Sequence, residues 1–425
     1  MNNEFKTQLQ KREFDVLKDE HRVILKWATG CGKSKMTIDL INNAVKKHHL
    51  QNYKYEEPVS ILLVVGETAH KKNWKEELNT WELDYDHCYT DIICYQSLHK
   101  VIGLCYDIIV CDEAHHLFTE KRMAAMEAII NKTKEQDPGT PGYVFLLSAT
   151  LSSSKVMMAE EMFGKFAIST VTLKDAISND ILPDPRVYVV AMELDNVRDD
   201  QEIMANKADE GSPVVSWDRR FKYLSKKLPC IIRCTEKQKY LYYSDTMEYW
   251  KQRYERSKNQ FHHNLWVSTG SLRKRYLGEL KTYAVRDFLK RVPYKKRFVC
   301  FCASVAQAEL FSRTHTISSK KPSRKNQEII DAFNSRKINQ IYAVGMITEG
   351  MNLTDIQAGI IVQLDGKERL FVQKFGRSLR AEDPVTFIFY YKGTQDEVYL
   401  KNALENIDSK YVQHISIDQL DTVRL

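Results

Sequence analysis

Between Trp27 and Ser34 the chain reads Trp-Ala-Thr-Gly-Cys-Gly-Lys-Ser, directly behind the apolar run Val23–Trp27 and directly ahead of an amphipathic stretch, Lys33–Val45. That order of strand, glycine-bearing loop and helix leaves few folds open. Gly30 and Gly32 carry no Cβ, so the loop backbone can turn sharply and approach a ligand closely. Its amides and the positive end of the following helix converge on one point, which suits a phosphate. Met36, Leu40 and Ala44 recur at four-residue spacing and give that helix an apolar face for packing on a sheet. The loop therefore predicts an α/β fold whose parallel sheet binds an anionic ligand at one edge.

Short apolar runs alternating with longer amphipathic stretches extend the pattern along the chain. Strands are predicted over Val23–Trp27, Ser60–Val65, Tyr106–Cys111, Tyr143–Leu147 and Val187–Met192, with helices over Lys33–Val45, Lys71–Trp81 and Arg122–Lys134. Runs this continuously apolar suit strands covered on both faces. The alternation restarts near residue 297. Strands are predicted there over Arg297–Phe301, Gln340–Gly345, Gly359–Leu364 and Thr386–Tyr391, and helices over Val305–Arg313, Gln327–Asn334 and Leu370–Leu379. Between the two units the chain is different: Asp195–Gly211 is rich in charge and reads as a loop, and the remainder of that segment is polar, aromatic and helix-prone. The expected division is a first α/β unit over 1–194, a mainly helical, basic segment over 195–294, and a second α/β unit over 295–425.

Asp112-Glu-Ala-His115 follows an apolar strand that would deliver both acids to its C-terminal end, where parallel sheets bind ligands. A charged helix start would also place acids here, but that reading gives no reason for the glycine loop upstream. Paired with the loop, the acids point to hydrolysis of a bound nucleotide. Thr29, Gly30, Cys31 and Gly32 would line the phosphates and Lys33 would reach the outer two. The Ser34 hydroxyl and Asp112 would hold Mg²⁺, and Glu113 would orient and deprotonate the attacking water.

With these two motifs in hand, the chain resembles the superfamily 2 helicases, and further members of that motif series stand in order. Gln10 in LQKREFDVL falls where the family has its adenine-contacting glutamine, with Gln8 as a rival. VVGETAHKKNW (Val64–Trp74) looks like motif Ia, CYQSL (Cys94–Leu98) like the short nucleic-acid-contacting motif after it, and Ser148-Ala-Thr150 is similar to motif III. In the second half FVCFCASVAQAELF resembles motif IV, and GMITEGMNL (Gly345–Leu353) resembles motif V with Glu349 and Gly350 at its paired positions. Gln373-Lys-Phe-Gly-Arg-Ser-Leu-Arg380 fits the QxxGRxxR pattern of motif VI at every fixed position. The resemblance implies two RecA-like domains that hydrolyse ATP with Mg²⁺ at their shared cleft. Gly350 joins the nucleotide-binding set and Gln373, Arg377 and Arg380 join Glu113 in the catalytic set. The two arginines stand three apart, on one face of a helix, and guanidinium groups reaching the γ-phosphate would stabilise transition-state charge.

The chain departs from the family at Trp27, where a small residue is usual, and in motif Ia, which carries Gly66-Glu67-Thr68 in place of a proline-bearing segment. The Asp-Glu-Ala-His form, Trp74 in NWKEEL and the YQSL element look like the branch of restriction, repair and remodelling translocases, which favours DNA over RNA as the track. An RNA helicase and an ATP-gated switch without processive unwinding stand as alternatives.

Charge is consistent with such a track without establishing it. Lys and Arg number 63 against 56 Asp and Glu, a net +7 over 425 residues, a mild excess. Between Arg273 and Arg297 ten Lys or Arg face only Glu279 and Asp287, which reads either as a phosphate-binding stripe or as a solvated helix face. Tyr240, Tyr242, Tyr243, Tyr249, Trp250 and Tyr254 could stack on bases, although their helical spacing fits packing between helices better. Nine cysteines form no CxxC pair, so neither a disulfide framework nor a zinc ribbon is indicated and a reducing compartment fits. Cys300 and Cys302 are expected on one face of a buried strand, and Cys230 and Cys234 on one helical turn. No apolar leader or membrane-length apolar run stands in the sequence. The expected location is the cytoplasm of a prokaryote or of a phage or viral host, or the nucleus in a eukaryote, with protein partners supplying targeting.

Overall fold

The computed structural model describes residues 3–51, 57–136, 142–209, 225–345, 353–364, 383–405 and 407–423. Helix α1 (Asn3–Leu17) precedes the first sheet, whose strands are β1 (Arg22–Trp27), β2 (Val59–Val65), β3 (Cys88–Cys94), β4 (Ile108–Cys111), β5 (Tyr143–Leu147) and β6 (Ala167–Val171). They lie in the order β3-β2-β4-β5-β1-β6, and every pairing is parallel. Crossover helices α2 (Lys33–Gln51), α3 (Thr68–Thr80), α4 (Glu120–Gln136) and α5 (Ser153–Phe163) connect them, and α6 (Leu173–Ser178) follows β6.

The two faces of this sheet follow the period-two rule of a strand. Val23, Leu25, Ile61, Leu63, Val65, Ile108, Val110, Phe145 and Leu147 enter one core cluster. Their chain neighbours Ile24, Leu62, Val64, Ile109, Cys111, Val144 and Leu146 enter the other. Both faces are therefore dry, which is why β2 reads Val-Ser-Ile-Leu-Leu-Val-Val without polar alternation.

A second all-parallel sheet contains β7 (Arg186–Met192), β10 (Phe298–Phe301), β11 (Thr316–Ser318), β12 (Gln340–Val344), β13 (Ala358–Ile361), β14 (Val385–Tyr391) and β15 (Val412–Ser416). Its order is β11-β12-β10-β13-β14-β7-β15. Here the sequence expectation needs correcting. The strand predicted over Val187–Met192 forms, but in the second sheet, paired along its length with β14 and also with β15. An apolar run carries no mark of which sheet it will join. The choice is made by partners distant in sequence: Asp383 holds Arg186 through two hydrogen bonds at 2.6 and 3.0 Å, and Tyr188 stacks on Phe387 with ring centres 5.2 Å apart.

The strands that the sequence pattern does not reveal, β3, β6, β11 and β15, are edge strands or shorter than four residues. In β6 the side chains alternate between buried and exposed over five residues only, too short a record of alternation to separate from a loop. The middle segment is mainly helical, with two differences. Asp195–Gly211, expected as a loop, contains β8 (Gln201–Ala205), antiparallel to β9 (Cys230–Cys234). Cys230 and Cys234 accordingly lie on a strand and not on a helical turn. Two long helices come next, Glu236–Ser257 and Gln260–Leu280. Thr235 opens the first with a capping box to Gln238, and Asn259 caps the second through Phe261 N–H at 2.8 Å. Tyr240 and Tyr242 are buried, Trp250 stacks on His262 and Tyr254 on Trp266. Trp250 and Tyr254 thus pack between the two long helices as expected, whereas Tyr242 packs against β8 and β9, its hydroxyl donating to Met204 O at 3.2 Å.

The basic stripe of Arg273–Arg297 is not one solvent-facing surface. Arg273, Lys281 and Arg297 are buried. Arg273 donates to Gln395 Oε1 at 2.9 Å, and Arg297 to the carbonyls of Phe333, Thr354 and Asp355. Lys281 lies in a fully buried network: 2.6 Å from Asp396, donating also to Val362 O and Gln363 Oε1, while Gln363 donates to Asp396 at 2.7 Å. Burial pushes the Lys281 ammonium below the ordinary lysine range and Asp396 pushes it back up. The network fastens the end of the long helices to the second sheet.

Replacing Asp396 by Ala strands the Lys281 charge in the interior. The expected loss is about 3–5 kcal/mol in urea unfolding, with the Lys281→Met/Asp396→Leu pair recovering part of it.

Candidate functional site

β1 ends on Trp27, and the loop to α2 turns on Gly30 and Gly32, with φ of +96° and +88°. Residues with a Cβ are strained there. A Cβ on Gly32 would also meet Gln10 Nε2 at 2.2 Å. Trp27, unusual at this position, is wholly buried. Its indole N–H donates to Ser169 Oγ at 2.8 Å, and that hydroxyl donates to Glu13 Oε2 at 2.7 Å. The start of the loop is thus tied to β6 and to α1. Sequence reasoning identified Trp27 only as a departure; its partner Ser169 lies 142 residues away and nothing local indicates it.

Lys33 donates to the carbonyls of Trp27 (2.8 Å) and Ala28 (3.5 Å), so its ammonium is curled over the loop where an anion would be met. Ser34 stands in the first turn of α2, Thr29 is half-buried, and Cys31 is fully buried with its thiol pushed up to about 11 by burial. Cys31 is neutral packing within the loop, not a nucleophile. Of the two glutamines considered, Gln8 is exposed while Gln10 is buried and donates to Gly32 O at 3.2 Å. A cavity of about 470 Å³, lined by Thr7, Gln10, Lys11, Phe14 and Asn42 among others, opens beside it.

β4 delivers Asp112 and Glu113 to the same sheet edge, because all six strands run parallel. β5 lies between β1 and β4, so Ser148-Ala-Thr150 at its end sits between the loop and the acids. The Ser148 hydroxyl accepts from Thr150 N–H at 3.3 Å. Lys155 of α5 donates to His115 O at 3.0 Å, joining the segment after β5 to the one after β4. Asp112 accepts from Trp74 Nε1 on α3 at 2.8 Å through one carboxylate oxygen and from Glu113 N–H at 2.9 Å through the other. Tyr95 donates to the Asp112 carbonyl at 2.9 Å. Glu113 holds a left-handed backbone, φ +47°, a strain of the kind concentrated at functional sites. One of its oxygens lies 3.3 Å from His115 Nδ1.

Burial raises the Asp112 pKa above the usual carboxylate range, and the neighbouring Glu113 charge raises it further. The Trp74 N–H, His70 and Lys33 act the other way. A desolvated carboxylate beside a second acid suits a hard divalent cation, and the oxygens of Asp112 and of the Ser34 hydroxyl are the donor type that Mg²⁺ would take. Trp74 and Tyr95 were not foreseen as holding Asp112, although both stand in segments that the sequence singled out.

Gly350, Gln373, Arg377 and Arg380 lie outside the described residues, as do the helix predicted over Leu370–Leu379 and most of Gly345–Leu353. Gly345 (φ +70°) and Leu353, buried, mark the two ends of that segment.

Residues 2–153 match the family model described as type III restriction enzyme, res subunit, and residues 281–382 match that described as helicase conserved C-terminal domain. No curated protein sequence matches the chain. Among solved structures it is similar to S. cerevisiae Dbp5 bound to RNA and ADP BeF3 (TM-score 0.57, 11% identity, 97% of this chain and 90% of that one). It is similar also to the DEAD-box helicase Mss116 bound to ssRNA and UDP-BeF (0.54, 13%, 96% and 74%). The Pyrococcus furiosus Hef helicase domain gives 0.51 at 15% identity over 93% and 97%. At these identities the likeness is one of fold.

Gly32→Ala should strain the loop by about 1–3 kcal/mol and displace Gln10. Calorimetric titration with ADP is expected to show at least about a ten-fold loss of affinity, with little change in far-ultraviolet circular dichroism.

Proposed function

We propose that this chain, which belongs to the superfamily 2 helicases with two RecA-like domains, is a nucleic-acid-stimulated ATPase that translocates on DNA. One observation carries the reading: a single edge of the first sheet gathers Lys33 and its glycine loop, Asp112 and Glu113, and Ser148-Ala-Thr150 between them.

In this proposal Thr29, Gly30, Cys31 and Gly32 present backbone to the phosphates of ATP, and Lys33 leaves its carbonyl partners for the β- and γ-oxygens. Ser34 and Asp112 hold Mg²⁺, which neutralises phosphate charge. Glu113 orients water for attack on the γ-phosphorus and takes its proton. Gln10 contacts the base. Gln373, Arg377 and Arg380, with Gly350 nearby in the motif series, complete the cleft from the second domain, the arginines stabilising charge in the transition state. The division into 1–194, 195–294 and 295–425 belongs to the same proposal, except that β7 is spent on the second sheet.

DNA is favoured because the first domain matches a restriction-enzyme model. An RNA track is the second reading, favoured by the RNA carried in the Dbp5 and Mss116 structures. No helix among the described residues is long and apolar enough to cross a membrane.

Lys33→Ala is expected to abolish hydrolysis. Arg380→Ala should lower turnover about a hundred-fold or more while leaving ATP affinity within a few-fold; an equal loss of both would remove the arginine from the transition state. ATP turnover measured with single-stranded, duplex and branched DNA and RNA decides the track. Turnover unaffected by all of them, alongside ATP-dependent capture of a protein, would turn the reading toward a nucleotide switch.

A further inference from the structure

Around the glycine loop and the acids, buried polar side chains are matched by partners: Trp27 by Ser169, Asp112 by Trp74. His70 on α3 is not. It is 4% exposed, and neither Nδ1 nor Nε2 has a hydrogen-bond partner among the described residues. Leaving buried donors and acceptors unpaired is costly, and a leucine of comparable bulk would fill the position without that cost.

The fold fixes where the imidazole stands. β2 and β4 pair up to Val64 and Cys111, and Asp112 N–H donates to Val64 O at 2.9 Å. Gly66 and the two acids therefore leave the sheet side by side. α3 starts at Thr68, just past that edge, and runs back along the sheet. His70 and Trp74 are four residues apart, on one face of the helix, and Trp74 carries its indole N–H to Asp112 Oδ2 at 2.8 Å. His70 is one turn nearer the start of α3, hence nearer the edge from which the acids emerge. Its Cε1 lies 3.4 Å from the point that a Cβ on Gly66 would occupy. Among the groups that pull the Asp112 carboxyl down, His70 acts more strongly than Lys33 of the glycine loop.

Mg²⁺ dehydrates reluctantly and keeps several waters beside its carboxylate ligand. The hydrogens of those waters need acceptors, and an imidazole nitrogen that carries no proton is one. We propose that His70 belongs to the cation site, where it accepts a hydrogen bond from water bound to the cation that Asp112 holds. The inference rests on the function proposed above, in which Asp112 and Ser34 hold Mg²⁺. It adds to them a group from α3, outside the glycine loop and the acid pair. His70 thereby trades stability of the fold for affinity toward the cation.

His70→Leu removes both nitrogens at similar bulk, whereas His70→Gln keeps an acceptor. Without cation or nucleotide, His70→Leu should melt about 2 °C or more above the wild type, because unpaired polar atoms have left the interior. Mn²⁺ binding to the ADP-loaded protein, read by electron paramagnetic resonance, should weaken about five-fold or more in His70→Leu and at most about two-fold in His70→Gln. ADP affinity in the presence of EDTA should stay within about two-fold of the wild type in both. The Mg²⁺ concentration that gives half-maximal ATP turnover should rise about five-fold in His70→Leu. A wild type that takes up no Mn²⁺ when loaded with ADP, or binds no ADP, overturns the proposed cation site and this inference with it. A wild type that binds Mn²⁺, with His70→Leu within about two-fold of it, overturns the inference alone, whatever the melting shows. So does a loss of Mn²⁺ that only follows lost ADP affinity. If His70→Leu does not melt cooperatively, His70→Met decides by the same thresholds.

Discussion

A parallel sheet covered on both faces can offer polar chemistry only at its ends, and that constraint decides where everything else in this chain goes. The apolar side chains of β1 and β4 are buried up to Trp27 and Cys111, the last residues of the two strands. The first polar atoms the backbone can present are those of the loop after Trp27 and of Asp112 and Glu113. Because the strands all point one way, these groups arrive at one edge although residues 35–111 lie between the loop and the acids. Glu113, held at φ +47°, stands at this edge together with the positive-φ turns at Gly30 and Gly32, and the rigid, dry sheet beneath is what holds it there.

Much of this was legible in the sequence because it is local. Trp27–Ser34 places a strand end, two glycines and a helix start close together, so its conformation and its ligand class follow from short-range chemistry. The buried central strands were legible for the same reason: β2, β5 and β14 write their burial into continuous apolar runs. Legibility failed where an interaction joins distant residues. Nothing around Trp27 indicates Ser169 or Glu13. Nothing in Val187–Met192 indicates that β14 and β15, rather than the first sheet, will flank it. Edge strands such as β3 and β6 failed differently, since many of their side chains meet water and the apolar signal fades with them.

Charge was the least legible quantity. Ten cations between Arg273 and Arg297 look alike in sequence, yet Arg273, Lys281 and Arg297 are buried. Buried cations are retained only with partners, and here those partners, Gln395, Asp396 and the carbonyls just before β13, belong to the second sheet and its helices. What reads as a surface for a polyanion is partly the fastening between the long helices and the sheet. The exposed cations Arg275, Arg286, Lys290, Arg291 and Lys295 form a smaller surface than the sequence implied. Glu279 already faces Arg275, and Asp287 faces Lys290, Arg291 and Arg286.

The placement of β7 has a consequence for how the molecule comes off the ribosome. The strand emerges soon after the first sheet is complete, but its two partners, Val385–Tyr391 and Val412–Ser416, are made only after the helical segment and the other strands of the second sheet. Synthesis is slow compared with local folding, so an apolar strand must wait, edges unsatisfied, while the whole helical segment and most of the second sheet are translated. The second sheet therefore closes only once residues 385–416 have been made, around a strand supplied before any of its other strands existed. A nascent chain stalled after β7 and before residue 385 carries all six strands of the first sheet and an unpaired apolar strand, the species a chaperone that recognises extended apolar segments would meet.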